Sequence, residues 1–301
     1  MTTGVLVMAY GTPTTPADVA AYYTRIRHGR PPTAELLKEL SERYRDIGGT
    51  SPLAQRTAAQ VSAIAAELET RAPGAFDVRF GSKYEPPMIE DIAPGFALDG
   101  VTDVIGLVLA PHSSSMSTDQ YMARARASLG EGVNFTEIGA WWDHPGFLTL
   151  IAQRVLDALE LVPDERRAST EVIFSAHSLP EKILAQGDTY PEQLRESAAG
   201  AARVAGITNW DLAWQSAGRT ADPWIGPDIL QVLRAKKEAG LTDVVSCPIG
   251  FVSDHLEVLF DIDIQAQELA HEIGLNLVRT ASLNDDPAFI AVLADIVMAR
   301  A

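Results

Sequence analysis

The sequence has almost no cysteine. Cys247 is the only one among 301 residues. Neither an internal disulfide nor an iron–sulfur cluster held by several cysteines of this chain can therefore form. Cys247 falls in a predicted buried strand and is interpreted as a core residue. We expect no cysteine-held cluster and no other prosthetic group.

Long apolar runs are also missing. No run reaches the roughly 18 residues that a membrane-spanning helix requires. The first residues, MTTGVLVMAY, carry no basic leader and no small-residue cleavage site, so they do not resemble a signal peptide. Because 47% of the residues are hydrophobic, a large core can form. We expect a soluble, cytoplasmic protein that does not insert into membranes.

Positive charge is scarce, and where it occurs it is clustered. The formal net charge of −16 argues against a nucleic-acid partner, whose binding depends largely on Lys and Arg contacts to phosphates. The clustered basic residues are Arg25, Arg27, His28, Arg30, Arg43 and Arg45. Two interpretations stay open at this point: a solvated helix face, or a rim that binds a ligand carrying carboxylates or phosphates.

Several common ligand-binding motifs are absent as well. The chain contains neither G-x-G-x-x-G nor the P-loop pattern, which disfavours a dinucleotide or a P-loop nucleotide. G-x-S-x-G is missing too, which disfavours an α/β-hydrolase.

Short apolar runs alternate with longer helical patterns, which predicts an α/β fold with parallel sheets. The predicted strands cover residues 4–10, 76–82, 103–109, 135–140, 171–176, 212–215, 244–248 and 275–279. Four precede residue 141 and four follow it. We therefore predict two similar domains of about four strands each, with a cleft between them. The first would comprise residues 1–140 plus a C-terminal helix at 283–301, and the second residues 141–282.

Chemically useful side chains follow the predicted strands, at the sheet edge where ligands of α/β proteins bind. His177 ends one strand, and His112 occupies a comparable place in the first half. A helix predicted over 251–265 would stack Asp254, Glu257 and Asp261 on one face, where a cation or mobile protons would relieve their repulsion. An acidic solvent face is the alternative interpretation. His255 would lie on another, apolar face of this helix and is interpreted as structural.

Six segments of the sequence resemble ferrochelatases. They are MAYGTP (8–13), YYTRIRHGR (22–30), ERYRDIGGTSPLAQ (42–55), FSAHSLPEKI (174–183), WQSAGRTADPWIGPD (214–228) and PIGFVSDHLEVLFDID (248–263). The similarity runs end to end and is greatest to the coproporphyrin III ferrochelatases of Gram-positive bacteria. It implies two Rossmann-like domains, with the C-terminal helix returning to the first.

The resemblance also implies a site. His177 and Glu257 match the pair that the family uses at the metal, and Tyr10 matches a residue that faces the iron from the other side of the macrocycle. As a separate hypothesis, we expect Asp254 and Asp261 to carry protons or metal along the predicted stripe of carboxylates. The residues that would line the porphyrin are Tyr10, Arg27, Arg43, Tyr44, Ser51 and Tyr121.

Two positions depart from the pattern of some relatives. Tyr84 stands where some carry a histidine, and Gln265 stands where some carry a glutamate. Both positions belong to an outer metal site in those relatives, so that site is in doubt here.

The function that the resemblance implies is insertion of Fe²⁺, as a substrate, into coproporphyrin III during haem synthesis. Tyr10 and the arginine-rich, polar N-terminal segment favour coproporphyrin III over protoporphyrin IX. The alternatives are ferrous insertion into protoporphyrin IX, a sirohydrochlorin chelatase, and a non-catalytic porphyrin or haem carrier. The expected partners are the porphyrin and ferrous iron, with transient contact to the next enzyme of the pathway.

Overall fold

The computed structural model describes residues 2–220 and 222–301, and within them it contains two four-stranded parallel sheets. The first sheet is built from β1 (Thr3–Ala9), β2 (Phe76–Ser82), β3 (Asp103–Val108) and β4 (Asn134–Ile138). The second is built from β5 (Glu171–His177), β6 (Trp210–Gln215), β7 (Asp243–Cys247) and β8 (Asn276–Arg279). Their strand orders, β2-β1-β3-β4 and β6-β5-β7-β8, are the same, so the two halves share one topology.

The α-helices connect the strands and cover the sheets. In the first half they are α1 (Val19–Ile26), α2 (Ala34–Asp46), α3 (Leu53–Arg71), α4 (Ile89–Ile92), α5 (Pro94–Leu98) and α6 (Thr118–Ser128). In the second they are α7 (Pro145–Glu160), α8 (Asp164–Arg167), α9 (Lys182–Ala185), α10 (Tyr190–Ala205), α11 (Ile229–Glu238), α12 (Leu256–Phe260), α13 (Gln267–Ile273) and α14 (Pro287–Met298). A 3₁₀ turn (Pro16–Asp18) precedes α1, and a π-helical segment (Asp261–Ala266) joins α12 to α13.

The central strands are buried along most of their length because helices cover both faces of each sheet. Residues Val5, Leu6, Val7 and Met8 of β1 are fully buried. The predicted α/β fold with two sheets is confirmed. Each predicted strand is present, with ends within two residues of those expected.

The C-terminal helix α14 packs against α3 of the first half and α7 of the second. It begins with Pro287, and the Asp286 side chain caps it by accepting from the N–H of Ala288. Phe289 and Leu293 are fully buried in a core that also contains residues of α3 and α7. Burial of such a side chain contributes about 2 kcal/mol, so α14 joins the two halves through one shared core.

Polar contacts also join the halves beside the carboxyl ends of β3 and β5. The Asp188 carboxylate accepts hydrogen bonds from the hydroxyls of Ser114 and Ser115, at 2.9 and 2.7 Å. The Gln193 amide bonds to both the backbone and the hydroxyl of Ser113. The loop after β3 is thereby tied to the second half.

The predicted helix over 251–265 is wrong at its start. The chain stays irregular through Asp254, and His255 is extended (φ −157°) as the residue before α12. Asp254 is held outside the helix because Ser282 and Asn284 donate to its carboxylate. The stripe of three carboxylates on one helical face therefore does not form.

Among the described residues, no helix has both the length and the apolar composition that crossing a bilayer requires.

Candidate active site

His177 and Glu257 face each other at the carboxyl edge of the second sheet. His177 is the last residue of β5, and Glu257 lies in the first turn of α12. His177 Nε2 and Glu257 Oε1 are 3.6 Å apart, and about one third of each side chain is exposed. The pair therefore combines a base and a carboxylate at an opening.

A glycine allows this approach. The loop after β7 crosses directly over β5, where the N–H of Gly250 donates to the Ser175 carbonyl at 3.1 Å. A Cβ atom at position 250 would lie 2.5 Å from Ala176 Cβ, which no ordinary contact allows. Any larger residue would lift the segment that leads to Glu257 away from the strand that carries His177.

The His177 ring is oriented by the backbone. Its Nδ1–H donates to the Ser178 carbonyl, so Nε2 is the nitrogen that faces Glu257. A ring held in this way presents a lone pair on Nε2 whenever it is neutral, which is how metal-binding histidines are usually oriented. The Tyr190 hydroxyl also donates to the His177 carbonyl at 3.0 Å, which further fixes the strand end.

His255 is a second imidazole beside Glu257, which sequence reasoning assigned to a structural role on an apolar helix face. That placement is wrong because His255 precedes the helix. Its Nε2 lies 3.6 Å from Glu257 Oε2, and its Nδ1–H donates to the Ser253 carbonyl at 2.9 Å. Two similarly oriented imidazoles thus flank one carboxylate.

The charges of the pair stabilise each other. Burial lowers the pKa of His177, but the Glu257 carboxylate outweighs burial and raises this pKa to about 9. Burial raises the pKa of Glu257, but His177 and His255 hold it well below its usual range. In the substrate-free protein His177 is therefore protonated at neutral pH, whereas the sequence alone predicts a histidine near its ordinary pKa.

Asp261 lies at the start of the π-helical segment and is buried. Burial raises its pKa to about 6, even though the Ser216 hydroxyl donates to its carboxylate. Ser216 adopts the left-handed conformation (φ 61°), which turns its side chain towards Asp261 directly after β6. Asp261 can therefore gain or lose a proton near neutrality. Asp254 differs: burial raises its pKa, but Asn284, Ser282 and the nearby Arg279 together outweigh burial and lower it.

Helix α2 of the first half closes over this region. Arg43 on α2 lies 3.8 Å from the Asp261 carboxylate and stacks over the ring of Phe260, 5.0 Å from its centre. Arg43 also donates to Glu39 at 2.9 Å, and Glu39 in turn pairs with Arg219 at 2.6 Å. A chain of charges therefore links the two halves across the cleft.

Tyr10 directly follows β1 and is 40% exposed. Its ring meets that of Tyr84 edge-on, with the centres 4.8 Å apart. Gly11 makes the sharp turn after it (φ 86°). Although Tyr10 is partly open to the cleft, desolvation by its surroundings and the charge of Glu257 raise the pKa of its phenol. The phenol is therefore neutral at neutral pH.

The other predicted porphyrin-lining residues fall into two groups. Tyr44 and Tyr121 are almost fully buried; Tyr44 shares a 3.2 Å hydrogen bond with Thr12, and Lys83 lies 4.7 Å above the centre of the Tyr121 ring. Burial raises both pKa values, so both phenols are neutral at neutral pH.

Arg27 and Ser51 form the second group. Arg27 stacks on Tyr23, and its buried Nε has no hydrogen-bond partner among the described residues. Ser51 lines a cavity of about 440 Å³ that lies between the first half and Leu259 of α12. Arg27 thus has an unused donor, and Ser51 borders an open space beside α12.

The basic cluster also borders a second cavity, of about 420 Å³. There Arg25 pairs with Glu85, and Arg124 pairs with Glu90 at 2.6 Å. Lys83 lines the same cavity, and burial lowers its pKa to about 8. Sequence reasoning did not single out Lys83.

Three other residues that the sequence analysis discussed are His112, Cys247 and Gln265. His112 is 3% exposed, its ring nitrogens have no partner among the described residues, and burial lowers its pKa to about 3. Cys247 is buried in β7, as interpreted from the sequence. Gln265 lies in the π-helical segment. Within residues 2–220 and 222–301, no cluster of three or more His, Cys, Asp or Glu side chains could hold a metal ion.

Comparison with known proteins gives the same family over the whole chain. The family model described as "Ferrochelatase" matches residues 2–301. A "Ferrochelatase" of Herpetosiphon aurantiacus is 43% identical, covering 98% of both chains. A "Coproporphyrin III ferrochelatase" of Geobacillus thermodenitrificans is 44% identical, covering 99% of this chain and 96% of the relative.

A solved structure supports the fold. The structure of SirB from Bacillus subtilis with Fe³⁺ superimposes with a TM-score of 0.60 at 12% identity, covering 100% of this chain and 96% of that one. Such low identity shows a shared fold and no more.

Proposed function

The chain belongs to the ferrochelatase family, and on that premise we propose that it inserts Fe²⁺ into coproporphyrin III to form the iron porphyrin of haem synthesis. Two near-full-length relatives support this proposal, and one of them is named for coproporphyrin III. The observation that carries it is the His177–Glu257 pair, 3.6 Å apart and one third exposed at the carboxyl edge of the second sheet.

Metal capture requires His177 to lose a proton first. Because the pKa of His177 is about 9, Fe²⁺ must displace the proton on Nε2 before the imidazole can bind it. Glu257 is already ionised and supplies the attraction for the cation. A nitrogen and an oxygen ligand of this kind suit Fe²⁺ and replace part of its hydration shell.

Insertion then releases two protons from the porphyrin. Each pyrrole N–H bond breaks with its electron pair left on nitrogen, and the four nitrogens bind the metal. As Fe²⁺ leaves His177 for the macrocycle, the imidazole regains a lone pair and accepts one pyrrole proton, to which Glu257 contributes by attraction. The Asp261 carboxylate, whose pKa is about 6, accepts the proton displaced from Nε2 and later the second pyrrole proton, and releases each to water at the cleft opening. The lowered pKa of Asp254 keeps its carboxylate ionised at neutral pH, so in this relay it would attract the metal cation rather than carry protons.

Tyr10 approaches the macrocycle from the other side. Its phenol is neutral in the free protein, so coordination to the product iron would require loss of the phenolic proton. The macrocycle would lie between Tyr10 and the His177–Glu257 pair, in contact with Tyr44 and Tyr121.

The substrate carboxylates require cationic donors inside an acidic protein. Arg27 has an unpartnered buried Nε, and Arg43 can exchange Glu39 or Asp261 for a substrate carboxylate. Guanidinium groups suit this role because they bind carboxylates in a bidentate manner. Ser51 adds a hydroxyl at the neighbouring cavity. A substrate with four carboxylates uses more of these donors than one with two.

The test is an anaerobic assay of Fe²⁺ insertion that compares coproporphyrin III with protoporphyrin IX. We expect insertion into both to be measurable and kcat/KM to be higher for coproporphyrin III. A higher value for protoporphyrin IX would overturn the substrate assignment. Binding of both without insertion would indicate a carrier, and insertion only into sirohydrochlorin would indicate the other chelatase activity.

Cytoplasmic location and a transient contact with the next haem-pathway enzyme are part of this proposal. A fractionation experiment and a pull-down with the enzyme that consumes the product would test them.

A further inference from the structure

Gln215 is a fully buried amide at the end of β6, outside the set of residues that sequence reasoning selected. The oxygen and the nitrogen of its amide each form a hydrogen bond. Its Oε1 accepts a hydrogen bond from the Ser175 hydroxyl at 3.0 Å, and its Nε2 donates to the Glu257 carbonyl at 3.1 Å. Gln215 and Ser175 are both 0% exposed, so water does not compete for these bonds.

Gln215 is also bound to the strand that carries His177. It pairs with His177 in the parallel register of β5 and β6. Its backbone carbonyl accepts from the N–H of Ser178 at 2.8 Å, and its side chain holds Ser175. Ser175 and Ser178, which lie on either side of His177 in the chain, therefore both form hydrogen bonds with Gln215.

Helix α12 needs an external tie of this kind. It has five residues, no side-chain hydrogen bond caps its start, and the π-helical segment follows it at once. Such a short helix does not hold its own position. The Glu257 carbonyl accepts both the helical bond from the Asp261 N–H and the bond from Gln215.

We propose that Gln215 is a positioning residue for the proposed reaction: its amide couples the strand of His177 to the helix of Glu257 and sets the 3.6 Å spacing between them. Gln215 does not touch the metal or the porphyrin. It acts through the backbone of Glu257, with Ser175 as its anchor. The inference rests on the proposed function for its kinetic consequence, but its structural consequence can be measured separately.

Gln215→Met is the main variant, because it keeps nearly the same volume and removes both hydrogen bonds. The matched control is Gln267→Met. Gln267 also lies in the second half, and its Nε2 donates to the Leu277 carbonyl at 2.9 Å. Ser175→Ala is a milder second variant that removes only the anchor of Oε1, and it decides the question if Gln215→Met does not fold.

The kinetic readout is the separate effect on kcat and KM in the iron-insertion assay. A displacement of about 1 Å between reacting groups costs on the order of 10²-fold in rate. In Gln215→Met we therefore expect kcat to fall by about 10- to 100-fold. The KM for porphyrin should stay within about twofold of wild type. Ser175→Ala should lose about threefold to tenfold in kcat. Gln267→Met should lose thermal stability without loss of kcat.

A crystal structure of Gln215→Met supplies the second readout. We expect the separation between His177 Nε2 and Glu257 Oε1 to be about 1 Å larger in the variant than in a crystal structure of the wild-type protein. An unchanged separation, or a kcat loss no larger than in Gln267→Met, would overturn the inference. If the wild-type protein inserts no metal, the proposed function fails, yet the separation in the variant still decides whether Gln215 sets the spacing.

Discussion

Replacing Glu257 with glutamine should lower the pKa of His177 and leave its ring in place. The substitution removes the negative charge but keeps the size of the side chain and an oxygen that can accept from Nε2. Burial, which lowers the pKa of His177, remains. The attraction of the Glu257 charge, which outweighs burial and raises this pKa to about 9, is therefore removed.

The size of the change follows from the spacing. At 3.6 Å, Coulomb's law with an effective dielectric constant of about 20 gives about 4.6 kcal/mol, or about 3 pKa units. One third of each side chain is exposed, so solvent screens part of this energy. We therefore expect the pKa of His177 to fall by about 2 units, to about 7 or lower.

The assay is a proton NMR titration of the histidine rings. The chain has six histidines, and the His177 resonance is identified as the one that disappears in His177→Ala. Gln267→Met is the control: it removes an amide–carbonyl hydrogen bond of the second half without changing any charge, so the pKa of His177 should stay the same. A His177 pKa that stays near 9 in Glu257→Gln would refute the argument, since the shift would then have another source.

A stability measurement should show the same effect with a defined sign. The pKa of His177 is higher in the folded protein than its ordinary value of about 6.5. Its contribution is therefore fully present below about pH 6.5 and is lost as pH rises through about 9. The wild-type free energy of unfolding should fall relative to that of Glu257→Gln over this range, and parallel curves would contradict the linkage.

Three further outcomes are expected. His177→Ala should reduce kcat for iron insertion by at least about 10²-fold while porphyrin binding, followed by fluorescence quenching, persists; near-normal turnover would remove His177 from the mechanism. Tyr10→Phe should change the absorption spectrum of the iron-porphyrin product complex if the phenol binds iron, and an unchanged spectrum would mean that Tyr10 only packs. His112→Phe should reduce acid sensitivity, because a histidine whose pKa is lowered to about 3 in the folded state loses stability as pH falls from about 6.5. In urea unfolding, wild type should lose about 2 kcal/mol relative to this variant between pH 6.5 and pH 5, and an equal loss in both would contradict it.

The sequence by itself determined the α/β fold and the two sheets. Parallel strands such as β1 are apolar on both faces, and this pattern depends on residues next to each other in the chain. The position of His177 at a strand end was readable for the same reason. The segments around His177 and Glu257 also carried the family resemblance.

Only the tertiary structure decided how the site residues are held. Asp254 lies outside α12 because Ser282 and Asn284, about thirty residues away, bind its carboxylate. His255 turns to Glu257 because it precedes the helix. Gln215 holds Glu257 through a bond across 42 residues. Local periodicity carries no information on such bonds, because they depend on how separate strands and helices pack.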